Sequence, residues 1–179
     1  MTINGYVAGP NGENDWMTWN PDDEFLAFLN SLIDSSDTLL IGRKLADGFI
    51  RHWEEALNAD PVPPFAKKIA DMQKIVFTKT LDQSTWNNTI LAKGNLAEEI
   101  ARLKKQDGKD IIVFGGAGLV SSLIKEGLID EYHLIVNPTA MSNGMTIFNA
   151  LEGIKKFTPI QAKLYAGGKI VLTYTPKNE

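Results

Sequence analysis

Apolar residues recur along this chain in two rhythms, and the rhythms alternate. Residues 3–8, Ile-Asn-Gly-Tyr-Val-Ala, read as a first strand, and residues 9–20 as a polar loop rich in Gly, Pro and Asn. From Pro21 the spacing changes. Phe25, Phe28, Leu29, Leu32 and Ile33 stand at i, i+3, i+4, i+7 and i+8, one face of an amphipathic helix over 21–34. Asn20 fits its N-cap, Pro21 its first position, and acids fill its first turn. A continuous apolar run at 37–42 predicts a buried strand, and 43–53 begins another helix.

The alternation continues. Residues 62–72 predict a helix, 74–80 a strand, and 95–108 a helix capped by Asn95 with Glu98 three residues on and closed by Gly108. A strand over 110–116 leads into a helix over 117–127 that ends at Gly127, and 130–140 is a further strand. Residues 158–176 differ: two alternating strands joined by Ala-Gly-Gly-Lys make a hairpin signal. The body is therefore βαβ-like and the tail antiparallel. That predicts one domain over 1–179, a mainly parallel sheet with helices on both faces and an antiparallel C-terminal edge.

Composition narrows the function. Of 179 residues 44% are hydrophobic, which suits a single core, and the net charge of −4 leaves no basic stripe for nucleic acid. With no cysteine there is no disulfide framework or thiolate metal site, and two histidines without HExxH disfavour a histidine-rich one. No apolar run approaches the roughly 20 residues of a membrane span. The first residues carry no basic and apolar leader either, so the chain reads as cytosolic.

The candidate chemistry lies at strand ends. Gly115, Gly116 and Gly118 follow a strand and open a helix, a place where backbone N–H groups can meet a phosphate or where a tight turn suffices. No Gly-Lys-Ser/Thr follows, so this is not a P-loop, and the third glycine of the dinucleotide fingerprint is a serine. Gly42-Arg43-Lys44 puts two cations at a helix start, against the dipole preference, which hints at a bound anion. Thr78-Lys79 ends a third strand. Ends of this kind converge on one crevice in open α/β sheets. Arg43, Lys44, Thr78 and Lys79 together suit a nucleotide with an extra phosphate, NADPH rather than NADH. Asp22 falls near the apolar face of the first helix and Glu24 on its flank, so a carboxylate there either complements the helix start or serves a pocket. Trp16 and Trp19 lie in a loop that could cover a ligand; Trp53 and Trp86 read as packing residues, and Ser121-Ser122 as helix filler.

Strand–GRK–helix, VFTKT, the segment 111–148 with its Gly-Gly pair and EGLIDEYHL, and the closing hairpin together resemble the dihydrofolate reductase-like superfamily. The nearest likeness is to stand-alone relatives of the C-terminal reductase domain of the bifunctional riboflavin-biosynthesis deaminase-reductase. The resemblance implies a three-layer α/β/α fold with NADPH across the strand ends, a homodimer, and hydride transfer to a small heterocycle, a dihydropterin or a ribosylaminopyrimidine phosphate. It implies that Val7 and Ala8 line the nicotinamide, that Gly42, Arg43 and Lys44 hold phosphates, and that Thr78 and Lys79 hold the 2′-phosphate. Gly115, Gly116, Ala117, Gly118 and Leu119 would wrap the pyrophosphate, with a cis Gly115–Gly116 peptide. The run from Trp19 resembles the folate-enzyme helix and points to Glu24 as the acid, with Phe25 and Phe28 beside it, whereas helical phase points to Asp22. Asn4 and Trp16 complete the expected substrate side. Two departures stand out: Asn4 replaces the family's acid in "SLDG", and Leu45 replaces a phosphate-touching Thr. The alternative class is a regulatory or structural protein that binds NADP(H) without turning it over.

Overall fold

A computed structural model describes residues 1–63 and 65–177. In chain order the elements are β1 (Tyr6–Ala8), α1 (Asp23–Asp34), β2 (Ser36–Gly42), α2 (Arg43–Ala56), α3 (Ala66–Asp71), β3 (Gln73–Phe77) and β4 (Thr89–Ala92). Then come α4 (Leu96–Lys104), β5 (Asp110–Gly115), α5 (Ala117–Lys125), β6 (Tyr132–Val136), β7 (Met145–Thr146), β8 (Phe157–Leu164) and β9 (Ile170–Pro176). The residues form two compact units, 27–119 and 1–26 with 120–179, and the division falls within α1 and α5.

The unit 27–119 is a parallel sheet in the order β4-β3-β2-β5. Its centre is apolar because the middles of β2 and β3 are buried runs: Leu39, Ile41, Ile75 and Val76 have no exposure. Ile41 and Val76 meet Ala46 and Ile50 of α2, with Phe49, Trp86 and Leu91 packed around them, so Trp86 is a packing residue as expected. The strand expected over 74–80 stops at Phe77. There the Thr78 hydroxyl oxygen accepts the N–H groups of Thr80 at 3.2 Å and Leu81 at 3.1 Å and turns the chain. The helix expected over 62–72 is confined to Ala66–Asp71, and Pro64 lies outside the described residues. Asn95 caps α4 by accepting from Glu98 N–H, but the helix stops at Lys104, short of Gly108.

The other unit carries an antiparallel sheet, β6-β9-β8, and a two-stranded pairing of β1 with β7. The predicted hairpin is β8–β9, closed by the Tyr165 N–H to Lys169 carbonyl bond of 2.9 Å. The first strand is shorter than its pattern, because Thr2 to Gly5 form a turn: Gly5 has φ +89 and donates to Thr2 O. α5 ends as its glycine predicts. Gly127 has φ +68, and the N–H groups of Gly127 and Leu128 reach the carbonyls of Ile124 and Leu123, the paired bonds of a Schellman end. Ser121 is more than filler: its buried hydroxyl donates to Asn149 Oδ1 at 2.5 Å and accepts from Ala150 N–H at 3.0 Å. No helix among the described residues is long and apolar enough to cross a membrane.

Candidate functional site

The parallel register aligns three strand ends. Gly42 pairs with Phe77, and Ile41 pairs with Gly115. Residues 42–44, 78–79 and 115–119 therefore leave the sheet from one rim. The chain departs β2 toward β3 and β4, then returns through α4 to place β5 on the opposite flank. The order reverses between β2 and β5, and in open α/β sheets ligands bind at such a reversal.

The backbone is crowded there. A Cβ on Gly42 would lie 3.4 Å from both Gly116 N and Leu119 Cβ, at the near edge of van der Waals contact. Gly115 has φ +145, in the region that favours glycine, and its peptide with Gly116 is cis, as the resemblance implied. α2 starts at Arg43 directly from Gly42, without a side-chain cap and without an acid in its first turn. α5 likewise has no acid in its first turn. Both helix starts therefore favour an anion. Arg43, Lys44 and Lys79 are exposed, and among the described residues none of the three has an ion-pair partner. These features fit the phosphates of a dinucleotide. Thr78 differs from its expected part: it is 6% exposed, and its hydroxyl oxygen holds the turn that presents Lys79. Leu45, the departure from the family's Thr, puts Cδ2 3.2 Å from where a Gly115 Cβ would stand.

The two candidate acids lie at the start of α1, clasped by the tip of the β8–β9 hairpin. Asp22, not Asn20, is the N-cap: its Oδ1 accepts from Phe25 N–H at 2.7 Å, and its Oδ2 from Gly167 N–H at 3.1 Å. The Phe25 N–H foremost, with Gly167 adding, holds the Asp22 carboxyl below the usual carboxylate range. Asn20 instead donates to Gly167 O at 2.9 Å and accepts from Lys169 Nζ at 2.6 Å. Lys169 is 3% exposed and lies 5.7 Å above the Phe25 ring; its burial lowers its pKa and the Asp22 charge opposes the shift. Glu24 is exposed and accepts from Lys163 Nζ at 2.6 Å. That carboxylate raises the Lys163 ammonium above its ordinary range. Both carboxylates thus accept hydrogen bonds, Asp22 from two backbone N–H groups and Glu24 from an ammonium.

The other expected residues divide between packing and presentation. Phe25 is buried at 2% exposure, with Tyr165 at 5.2 Å and Trp19 at 6.5 Å between ring centroids, so its ring anchors α1 rather than meeting a ligand. Phe28 is half-buried, as are Val7 and Ala8 in β1, where Ala8 pairs with Met145. Asn4 is committed to backbone: its Nδ2 donates to Met141 O at 2.7 Å, and its Oδ1 accepts from Met141 N–H at 3.3 Å and Thr2 Oγ1 at 2.9 Å. An aspartate could not donate to that carbonyl, which gives the Asn-for-acid departure a local reason. Trp16 Nε1 is buried without a hydrogen-bond partner among the described residues, a donor left for a ligand or water. Lys163 and Lys169 escape a reading of the sequence, since nothing local ties a hairpin lysine to a helix 140 or so residues earlier.

Known proteins sharpen this picture. Over 99% of this chain and 96% of its own, a candidate riboflavin biosynthesis protein from Shewanella sp. PV-4 superposes with a TM-score of 0.74 at 24% identity. Enterococcus faecalis dihydrofolate reductase, solved with NADP(H), superposes with a TM-score of 0.62 at 16% identity, covering 99% of this chain and 93% of its own. The fold is that of the dihydrofolate reductase-like proteins. The uncharacterized protein YyaP of Bacillus subtilis (strain 168) is 31% identical over 174 residues, 97% of this chain and 90% of its own. The model of the RibD C-terminal domain matches residues 1–171, spanning both units, and the chain belongs to that family.

Proposed function

We propose that this protein is an NADPH-dependent reductase that delivers a hydride to a C=N or carbonyl carbon of a small heterocycle or opened sugar, of the dihydropterin or ribosylaminopyrimidine phosphate kind. One observation carries the reading: Gly42, Phe77 and Gly115 end side by side at the reversal of strand order, flanked by two helix starts that lack acids. Gly42 and residues 115–119 let backbone approach the pyrophosphate. Arg43 and Lys44 neutralise phosphates, and Lys79, held out by the Thr78 turn, takes the 2′-phosphate. Val7 and Ala8 serve the nicotinamide side. Bound there, the nicotinamide would supply the hydride, and the protein orientation and charge. Glu24 grips substrate N–H groups or orders the water that yields the proton; Trp16 Nε1 offers a donor. The reading includes a cytosolic setting and a homodimer.

The test is binding by fluorescence quenching. Lys79→Ala is expected to weaken NADPH about tenfold, the loss of roughly one charge-assisted hydrogen bond, and NADH much less. Equal loss for both coenzymes would remove the 2′-phosphate selectivity, and no NADPH binding by folded wild type would remove the reading.

One observation favours a second reading, an NADP(H)-binding protein without turnover: both acids already have partners, Asp22 in two backbone N–H groups and Glu24 in Lys163. Following the 340 nm absorbance against a panel of pterins and pyrimidines separates the two. Tight binding with no oxidation of NADPH by any of them decides for the second.

A further inference from the structure

We propose that the cavity formed by the end of α5, residues 151–156 and the residue after β9 binds the phosphate or diphosphate group of a small metabolite. Four lysines line it, Lys125, Lys155, Lys156 and Lys177, against one acid, Glu152, and its volume is about 350 Å³. The whole lining belongs to the unit of 1–26 and 120–179. None of these residues has a part in the coenzyme or substrate reading above, and the site does not depend on that reading.

The charge around the cavity is out of balance. The chain as a whole carries −4, so four lysines against one acid run counter to its average surface. Lys125 and Glu152 answer each other as an ion pair. Lys155 donates from Nζ to Ile124 O at 3.2 Å, at the end of α5, which uses one of its three N–H bonds. Lys156 and Lys177 are exposed, and among the described residues neither ammonium has an ion-pair or hydrogen-bond partner.

The backbone sets those two lysines against each other. β8 pairs with β9 as far as Phe157 opposite Pro176. The Lys177 N–H then donates to Lys156 O at 3.0 Å, which carries the pairing one residue further. Like charges directly opposite in an antiparallel pair destabilise it. Both side chains are exposed, so packing does not require a lysine at either place. An anion seated between the two ammonium groups turns their repulsion into attraction.

The donors and the walls indicate which anion. Lysine ammoniums are compact point charges without the planar fork with which arginine matches a carboxylate. The lining has four of them and no arginine, a set suited to a tetrahedral phosphate met from several sides. Ile154, 89% exposed, and the half-buried Leu151 add an apolar wall that the organic body of such a phosphate covers. The volume is that of a small-ligand pocket, which favours a free metabolite over a lipid headgroup.

The experiment titrates the isotope-labelled full chain with inorganic pyrophosphate at constant ionic strength and follows backbone amide shifts, so that each region reports for itself. Shifts are expected at 151–156 and 177. Lys156→Gln with Lys177→Gln is expected to weaken the response of 151–156 at least about tenfold. That double variant should unfold at a temperature no lower than wild type, because a repulsion has been removed. Lys79→Ala is expected to leave the response of 151–156 unchanged, which separates this site from the coenzyme rim. Silence at 151–156 up to millimolar pyrophosphate, an equal response in the double variant, or a loss of its stability overturns the site. Citrate bound as tightly as pyrophosphate overturns the choice of phosphate. Retention on vesicles of phosphatidylcholine and phosphatidic acid, without a response to pyrophosphate, overturns the choice of a free metabolite.

Discussion

Asp22 shows how much one side chain can be asked to do. Its two oxygens serve two backbone donors, one in its own helix and one in a hairpin 145 residues away in sequence. Asp22→Ala is expected to lower stability in denaturant titrations, as the loss of a helix cap does. The bonds favour the ionised form, so the folded-state pKa lies below the unfolded one. The stability they contribute is therefore present above the ordinary carboxylate pKa and lost as pH falls through the depressed one. Asp22→Asn should flatten that acid limb, and an unchanged acid transition would show that the cap is not linked to folding. The sequence read this acid as near the apolar face of α1, and it stands one residue before the helix as its cap. It named Asn20 as the cap because Asn-Pro at a helix start is the stronger local pattern, whereas the hairpin that claims Asn20 is invisible locally.

At the scale of elements, periodicity found the long segments and missed the short ones. The helix phase of 25–33 was legible because it repeats its signal over more than two turns, and the Asn95 cap because its pattern with Glu98 is local. β4 has four residues and β7 two, too few for either rhythm to register. α3 has only six residues and depends on Lys74, which has no exposure and donates to Ala70 O at 2.6 Å and Met72 O at 3.0 Å. The sequence places Lys74 at the start of a strand, and nothing local shows that its amine reaches those carbonyls. Lys74→Met keeps the stem's packing and leaves both acceptors without the amine, so thermal unfolding should show a loss of about 1–3 kcal/mol. A variant as stable as the wild type would mean that burying the ammonium costs as much as its bonds return.

For the whole molecule, the common rim of strand ends was legible and the partners of the residues expected on a substrate side were not. Residues 42–44, 78–79 and 115–119 are each next to a strand end, and strand ends of a parallel sheet are aligned by the register itself. Asn4 and Phe25 have partners set by tertiary contacts, which no spacing in the sequence encodes. The expected homodimer belongs to this scale too. β8 is an edge strand whose Ile160 and Leu164 are 58% and 69% exposed, next to Ile170 of β9 at 39%. Edge strands with exposed apolar side chains invite pairing. Leu164→Lys is expected to shift a dimer to monomer by light scattering without unfolding it; a wild type that is monomeric at all concentrations would dismiss the expectation.

The hairpin's grip on the start of α1 also bears on how the protein tolerates change. Asn20, Asp22 and Glu24 are each fastened to residues 163–169, so the acids take their places from the far end of the chain rather than from the segment leading to them. The loop at 9–19 is thereby relieved of positioning duty, and a change in its length or composition is expected to leave the carboxylates where they are.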